Sequence, residues 1–234
     1  MIATQCEGCL ERGARRPWKN LVLDGETAAE QMAIDVRLAE EAQPTFRLFR
    51  WARPACSLGF RQPLPWWIDA RAFERAGVEL VERPTGGGLA VHGSDVSCSV
   101  VMPRDGVGPA TLLEALGETI VSVAERFGVS ARWMPDAAGT RRIVHCLTEL
   151  SPYAVMVGNR KLCGFALRRT PSSWLAQGSL LVRDLPGAFD ALMPSSLREA
   201  FRTEAVSLEE AAGRAVEDEE LTGRLHTSWQ RHAV

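Results

Sequence analysis

The stretch Arg83-Pro84-Thr85-Gly86-Gly87-Gly88-Leu89-Ala90-Val91-His92 restricts the fold more than any other part of the chain. Its three successive glycines separate two apolar-rich runs, residues 77–81 and 96–102. Glycine is demanded where backbone passes close to another surface or takes a positive φ. Between two strands, the triplet reads as a wall that something lies against, edged by Arg83 and His92, or as a plain glycine-rich hairpin loop. No Gly-Lys-Ser/Thr follows, which excludes a P-loop. The loop does not open onto a helix, which excludes a dinucleotide fingerprint.

The flanking sequence predicts the remaining elements. Residues 21–23 form a short strand. A helix starts at Glu26 or Thr27 and runs to about 41, with Ala28, Met32, Ile34, Val36 and Leu38 as its buried side. Residues 46–51 alternate as a strand, 56–60 form another, and 66–76 a helix in which Trp66 and Trp67 serve packing. Strands near 78–82 and 95–102 flank the glycine loop. Residues 111–127 carry Leu112, Leu116, Ile120 and Val123 near helical spacing, with Gly128 as the cap. A strand begins at 129–133, and 135–142 is a polar loop. Residues 153–157 and 161–167 are strands joined by Gly158-Asn159, a hairpin signature, and 174–182 is a further strand. From 184 onward the chain reads as helices at 185–192, 196–202, 207–215 and 218–231.

Strands and helices are interspersed without a regular βαβ period. The expected fold is α+β, with a mixed, largely antiparallel sheet flanked by helices. Residues 1–18 read as a lead-in and 19–234 as one domain. Residues 184–234 are its helical C-terminal part, with no separate accessory domain expected.

Composition narrows the function. A chain of 234 residues, 46% hydrophobic, buries a full core as one domain. A net charge of −2 gives no pull toward nucleic acid or membrane. No apolar run approaches the roughly 18 residues of a membrane span, and no signal-peptide pattern opens the chain, so a cytoplasmic location is expected. Six cysteines without a secretory signal read as free thiols. Cys6-Glu7-Gly8-Cys9 lacks a second ligand pair, and no metal site is expected. Lys19 and Lys161 are the only lysines. On a solvated surface arginine replaces lysine readily. A lysine kept in such a background therefore suits a site needing an ammonium point charge or a removable proton. Lys161 fits that account, whereas Lys19 reads as chance.

Cys146 and Lys161 bracket a hairpin strand. A thiol, with a reference pKa of about 8.5, becomes a good nucleophile when a neighbouring cation lowers that value. Lys161, His145 and His92 are candidates for the charge, and a lysine at a strand start has its amine free to reach across the sheet. An acyl group arriving as a thioester then passes to Cys146, and a tethered lysine on another protein removes it. Lys161 binds the oxyanion. The alternative is that Cys146 is simply a small buried residue.

Three blocks resemble the lipoate-protein ligase and octanoyltransferase family. The first is the glycine loop followed by Asp95-Val96-Ser97-Cys98-Ser99-Val100. The second, Gly158-Asn159-Arg160-Lys161-Leu162-Cys163-Gly164-Phe165-Ala166-Leu167-Arg168, resembles that family's Gly-x-Lys-x-x-Gly-Ser-Ala-x-Arg segment. The third, Leu175-Ala176-Gln177-Gly178-Ser179-Leu180-Leu181-Val182, resembles its Leu-Gln-His-Gly-Ser strand. Residues 47–61 also follow it, and the likeness spans roughly 20–200. The resemblance implies a biotin/lipoate ligase-like catalytic domain. It also implies Cys146 and Lys161 as catalytic residues, in the register of the cysteine-dependent transferase branch. Arg83, Thr85, Gly86, Gly87, Gly88, His92, Gly164, Gln177, Gly178 and Ser179 become the substrate-binding set.

On that likeness the chain moves an octanoyl or lipoyl group from octanoyl-acyl carrier protein, through an acyl thioester on Cys146, to a lysine of a lipoyl carrier domain, such as a glycine-cleavage H-like protein. No cofactor is implied. An AMP-forming ligase is the alternative; it needs ATP and Mg and leaves Cys146 to packing. A non-catalytic acyl- or carrier-binding protein is the third reading, and neither nucleic acid nor membrane is an expected partner. Several positions depart from the family pattern: Gly88 for Arg, Ala154 for Glu, Phe165 for Ser, Leu167 for a polar residue, and Gln177 for His. These bear on donor and acyl length more than on reaction class.

Overall fold

The computed structural model describes residues 17–135, 144–149 and 151–233. Cys6, Cys9 and nearly all of the expected 135–142 loop lie outside them. In chain order the elements are β1 (Lys19–Val22), α1 (Ala28–Glu41), β2 (Thr45–Phe49), β3 (Ala55–Leu58), α2 (Ala70–Arg75) and β4 (Glu79–Glu82). Then follow β5 (Ala90–His92), β6 (Asp95–Pro103), α3 (Pro109–Arg126), β7 (Arg132–Met134), β8 (Ala154–Val157) and β9 (Arg160–Arg169). Last come β10 (Ser173–Leu181), α4 (Ser195–Glu204), α5 (Leu208–Ala212) and α6 (Asp218–His232).

Local chemistry accounts for the boundaries. Thr27 and Glu30 form a capping box: each side chain accepts the other's backbone N–H, at 3.3 and 2.9 Å. The buried face of α1 repeats at Ala28, Gln31, Met32, Asp35, Leu38 and Ala39. Ile34, expected inward, is half-buried and packs against the cluster of Leu38 and Ala39 at the edge of that stripe, whereas Val36, also expected inward, is exposed. The helix expected at 66–76 begins only at Ala70. Asp69 caps it by accepting from the N–H groups of Arg71 and Ala72. Trp66, expected to pack, is 90% exposed. The helix expected at 185–192 is a single 3-10 turn, Gly187–Phe189, opened by Pro186. Gly213, at φ +64, ends α5 after five residues.

The expected mixed sheet has seven strands in the order β1-β2-β6-β10-β9-β8-β7. Only the β1–β2 pair in it is parallel. A second sheet, not foreseen, places β3 between parallel β4 and antiparallel β5. β2 is buried at all five positions rather than alternating, because it lies inside the large sheet with both faces covered. Packing on one face of that sheet, α3 and α6 contribute Leu116, Ile120, Leu225 and Trp229 to the main core. There the Trp229 ring stacks on Phe46 at 4.7 Å. The small sheet shares a second core with Leu197 and Phe201 of α4. Among the described residues no helix is long and apolar enough to cross a membrane.

Candidate active site

The glycine triplet lies against the chain's own backbone. A Cβ on Gly88 would stand 2.7 Å from the Val144 carbonyl oxygen and 2.9 Å from the His145 nitrogen. Removing it lets residues 144–146 run beside Leu89. The Leu89 N–H donates to the Val144 carbonyl, and the Cys146 N–H to the Leu89 carbonyl, both at 2.7 Å. Gly87, at φ +92, turns its carbonyl onto Gly59, where a Cβ would collide with it. The loop is a wall, and two pieces of this protein press on it.

That packing delivers the Cys146 thiol to Gly164 on β9, where a Cβ would lie 3.2 Å from the sulfur. Lys161, three residues earlier on β9, is expected to have a free amine, but it is 1% exposed and fully engaged. It donates to the Cys146 carbonyl (2.7 Å), the Ser151 hydroxyl (2.9 Å) and the Glu149 carbonyl. An ammonium has three N–H donors, and burying any of them unpaired is costly. The turn after Cys146 satisfies all three. Burial pulls the Lys161 pKa below the usual lysine value, against the opposing pull of Cys146, Cys163 and Glu149.

The thiol faces a narrow, largely apolar crevice. Met32, Phe49, Trp51 and Phe165 supply its apolar lining; Arg83, His92, Gly164, Gln177, Gly178 and Ser179, all expected site residues, also line it. Thr85, Gly86, Gly87, Gly88 and Lys161, also expected there, are not among the lining residues. Thr85 donates to the Gln177 side-chain oxygen at 2.5 Å. Phe165 reaches the crevice because Gly178, its partner across β10, offers no side chain; a Cβ there would sit 2.6 Å from the ring.

Three polar clusters hold the walls. Arg83 staples the glycine loop, donating to the carbonyls of Gly86 (2.8 Å) and Gly88 (2.6 Å) and to the Ser57 carbonyl and hydroxyl. Burial lowers its pKa, and Cys146 opposes that shift. Arg83 is a buried cation lining the same crevice as the thiol, one missing from the sequence candidates. His145, which is among those candidates, pairs instead with Glu149 at 3.5 Å, and burial lowers its pKa. The second cluster joins His92 to Ser57 and Asp95, each at 2.8 Å. In the third, Asp35 accepts from Gln177 and Arg47 (both 2.6 Å) and from Ser99 (2.7 Å).

Four cysteines among the described residues are free thiols. Burial pushes Cys98 up to about 12 and raises Cys56 and Cys163 well above the ordinary range, which leaves them protonated. Cys146 alone of the four is partly exposed. Sequence reasoning missed Ser57, Asp95, Trp51, Asp35 and Arg47 as parts of the site. Asp95 stands three residues after His92, a spacing that offered a signal; the others gave none. No group of three or more His, Cys, Asp or Glu among the described residues is arranged to hold a metal.

Residues 27–230 match the model of the lipoyl protein ligase A/B catalytic domain. The octanoyltransferase LipM of Kyrpidia tusciae is 33% identical over 230 residues, covering 89% of this chain and 84% of that one. The LipM of Symbiobacterium thermophilum is 31% identical over 221 residues, with 85% and 80% covered. Among solved structures, a putative lipoate protein ligase from T. acidophilum with bound lipoic acid superposes with a TM-score of 0.73 at 20% identity, covering 92% of this chain and 84% of that one. A lipoate-protein ligase A bound with ATP gives 0.72 at 20% identity, with the same coverage. At those identities the two structures speak to the fold.

Proposed function

The chain belongs to the lipoyl protein ligase A/B catalytic-domain family and is an octanoyl-group transferase, and we propose that it works through an acyl thioester on Cys146. The observation that carries this route is a partly exposed thiol opening onto an apolar crevice, with its backbone carbonyl clamped by Lys161. The matched curated relatives are octanoyltransferases, so the ATP-dependent ligase reading is the weaker one.

The nucleophile is the Cys146 sulfur in its thiolate form, in a crevice that Arg83 also lines. The thiolate attacks the octanoyl thioester of an acyl carrier protein. The carbon–sulfur bond to the carrier breaks, its thiol leaves with a proton, and octanoyl is left on Cys146. The acyl chain lies among Met32, Phe49, Trp51 and Phe165, the last seated over Gly178. The ε-amine of a lysine on a lipoyl carrier domain, such as an H-like protein, then attacks the thioester. An amide forms, the Cys146 sulfur leaves, and the amine's proton is released. Lys161 holds the turn in register. For it to bind the oxyanion, the ammonium must exchange one of its three present acceptors for the acyl oxygen.

The thioester supplies the activation, so this route uses no cofactor. Residues 19–234 act as one catalytic unit, working on carriers in the cytoplasm. The test is intact-mass measurement of the protein and of a lipoyl domain, after incubation with octanoyl carrier protein or with octanoate plus ATP. Octanoyl on Cys146 followed by octanoyl on the domain, without ATP, supports the route. Acylation of the domain only with free acid and ATP overturns it.

A further inference from the structure

Ser57, His92 and Asp95 enter no step of the thiol chemistry, yet they form a chain of their own across the two sheets. β3 and β5 pair with Ala55 opposite His92 and Ser57 opposite Ala90, which puts Ser57 and His92 on a diagonal of one face. Asp95 opens β6 of the large sheet. The Ser57 Oγ lies 2.8 Å from His92 Nε2, and His92 Nδ1 lies 2.8 Å from Asp95 Oδ2.

The donors around Asp95 decide the tautomer. The hydroxyls of Ser97 and Ser179 donate to its Oδ2, and the Gly93 N–H donates to its Oδ1. Burial works against the ionised carboxyl, but His92 and the hydroxyls of Ser179 and Ser97 outweigh it and hold the group below the usual carboxylate range. A carboxylate only accepts, so His92 Nδ1 carries the proton and Nε2 is left to accept from the Ser57 hydroxyl. The Trp51 ring stacks on the imidazole at 4.0 Å and fixes its plane. Arg83 donates to Ser57 Oγ at 3.2 Å, which sets a cation beside any developing alkoxide. Ser57, His92, Arg83 and Cys146 line the same crevice.

From this geometry we propose that Ser57 is a second acyl-accepting nucleophile, activated by His92 and Asp95, and that it gives the protein a hydrolase activity toward medium-chain acyl esters and thioesters. The Ser57 oxygen adds to the acyl carbonyl as its proton passes to His92 Nε2. The bond to the alcohol or thiol breaks, and that group leaves with the proton from His92. Water then attacks the Ser57 ester, giving His92 a proton that returns to the Ser57 oxygen as the fatty acid departs.

The activity is read in the full chain carrying Cys146→Ala, which removes the thiol that lines the crevice. p-Nitrophenyl octanoate is the substrate, and release of p-nitrophenolate is followed above the buffer rate. Adding Ser57→Ala removes the attacking oxygen and should lower that rate at least about 100-fold, toward the buffer rate. Near-UV circular dichroism checks that both variants are folded. Independently, a fluorophosphonate probe on the Cys146→Ala chain should label Ser57, located by peptide mass mapping. Equal hydrolysis by the two folded variants, or a label on another residue, overturns the proposal. The thiol route can fail without touching this result, and the converse also holds.

Discussion

β6 and the turn that carries Cys146 both border the crevice, and they are held by different means. All nine residues of β6 are buried, and the strand is laddered to β2 on one side and β10 on the other. The turn has one bridge, between His145 and Leu89, supplemented by the Glu149 carboxylate accepting the N–H groups of Val144 and His145 and by the three bonds from Lys161. A ladder opens only with the sheet, whereas side-chain tethers are exchanged one at a time. The walls are held by strand ladders, and the nucleophile sits on a segment held by a short bridge and side-chain tethers, those of Lys161 among them.

Four substitutions sharpen or break this contrast. Cys146→Ala, on the turn, should reduce octanoyl transfer to a lipoyl domain by roughly 10³-fold or more, with little change in melting temperature. Transfer near the wild-type rate would remove the thiol from the mechanism. Asp35→Ala acts on the wall side. It strips the buried Arg47 of its carboxylate partner at 2.6 Å and should cost about 3–5 kcal/mol in denaturant unfolding. A loss below about 1 kcal/mol would mean that the wall is softer than its burial implies.

Lys161→Met frees the turn and should slow transfer about 100-fold. It carries a second signature. The folded chain disfavours the lysine's charged form, so across the shifted range the unfolded chain binds more protons. Wild-type stability should then rise with pH up to the ordinary lysine value of 10.5, and the Met variant should lack that slope. Identical pH profiles would show that the ammonium bears no burial penalty. Phe165→Ser leaves the turn alone and deepens the crevice, and should shift the kcat/KM ratio of dodecanoyl to octanoyl donors upward by about 10-fold. An unchanged ratio would place the acyl end elsewhere.

Much of the scaffold was legible because its signals are local. The helix start at Glu26 or Thr27, the Gly158-Asn159 hairpin and the spacing of Leu112, Leu116, Ile120 and Val123 each lie within a few residues, and each formed the expected element. Trp66 and the 185–192 segment failed for the opposite reason. A side chain's burial, or a proline-started turn's failure to continue, depends on what packs against it. Of the site residues, Cys146 and Lys161 stood out by chemistry and scarcity. Asp35, Arg47 and Ser57 had nothing to distinguish them from ordinary core-edge or surface polar residues.

By itself the sequence determined the class of fold, the order of nearly all the elements, and which thiol, amine and glycines to examine, since propensity, capping and periodicity act over one or two turns of chain. Only the tertiary structure decided that the glycines meet the protein's own backbone, that Lys161 spends its donors on the Cys146 turn, and that Ser57, His92 and Asp95 align. Those outcomes depend on hydrogen bonds and close contacts between segments far apart along the chain. Such pairings are chosen by burial and by the need to satisfy every buried polar group at once, a condition on the whole fold rather than on any stretch of it.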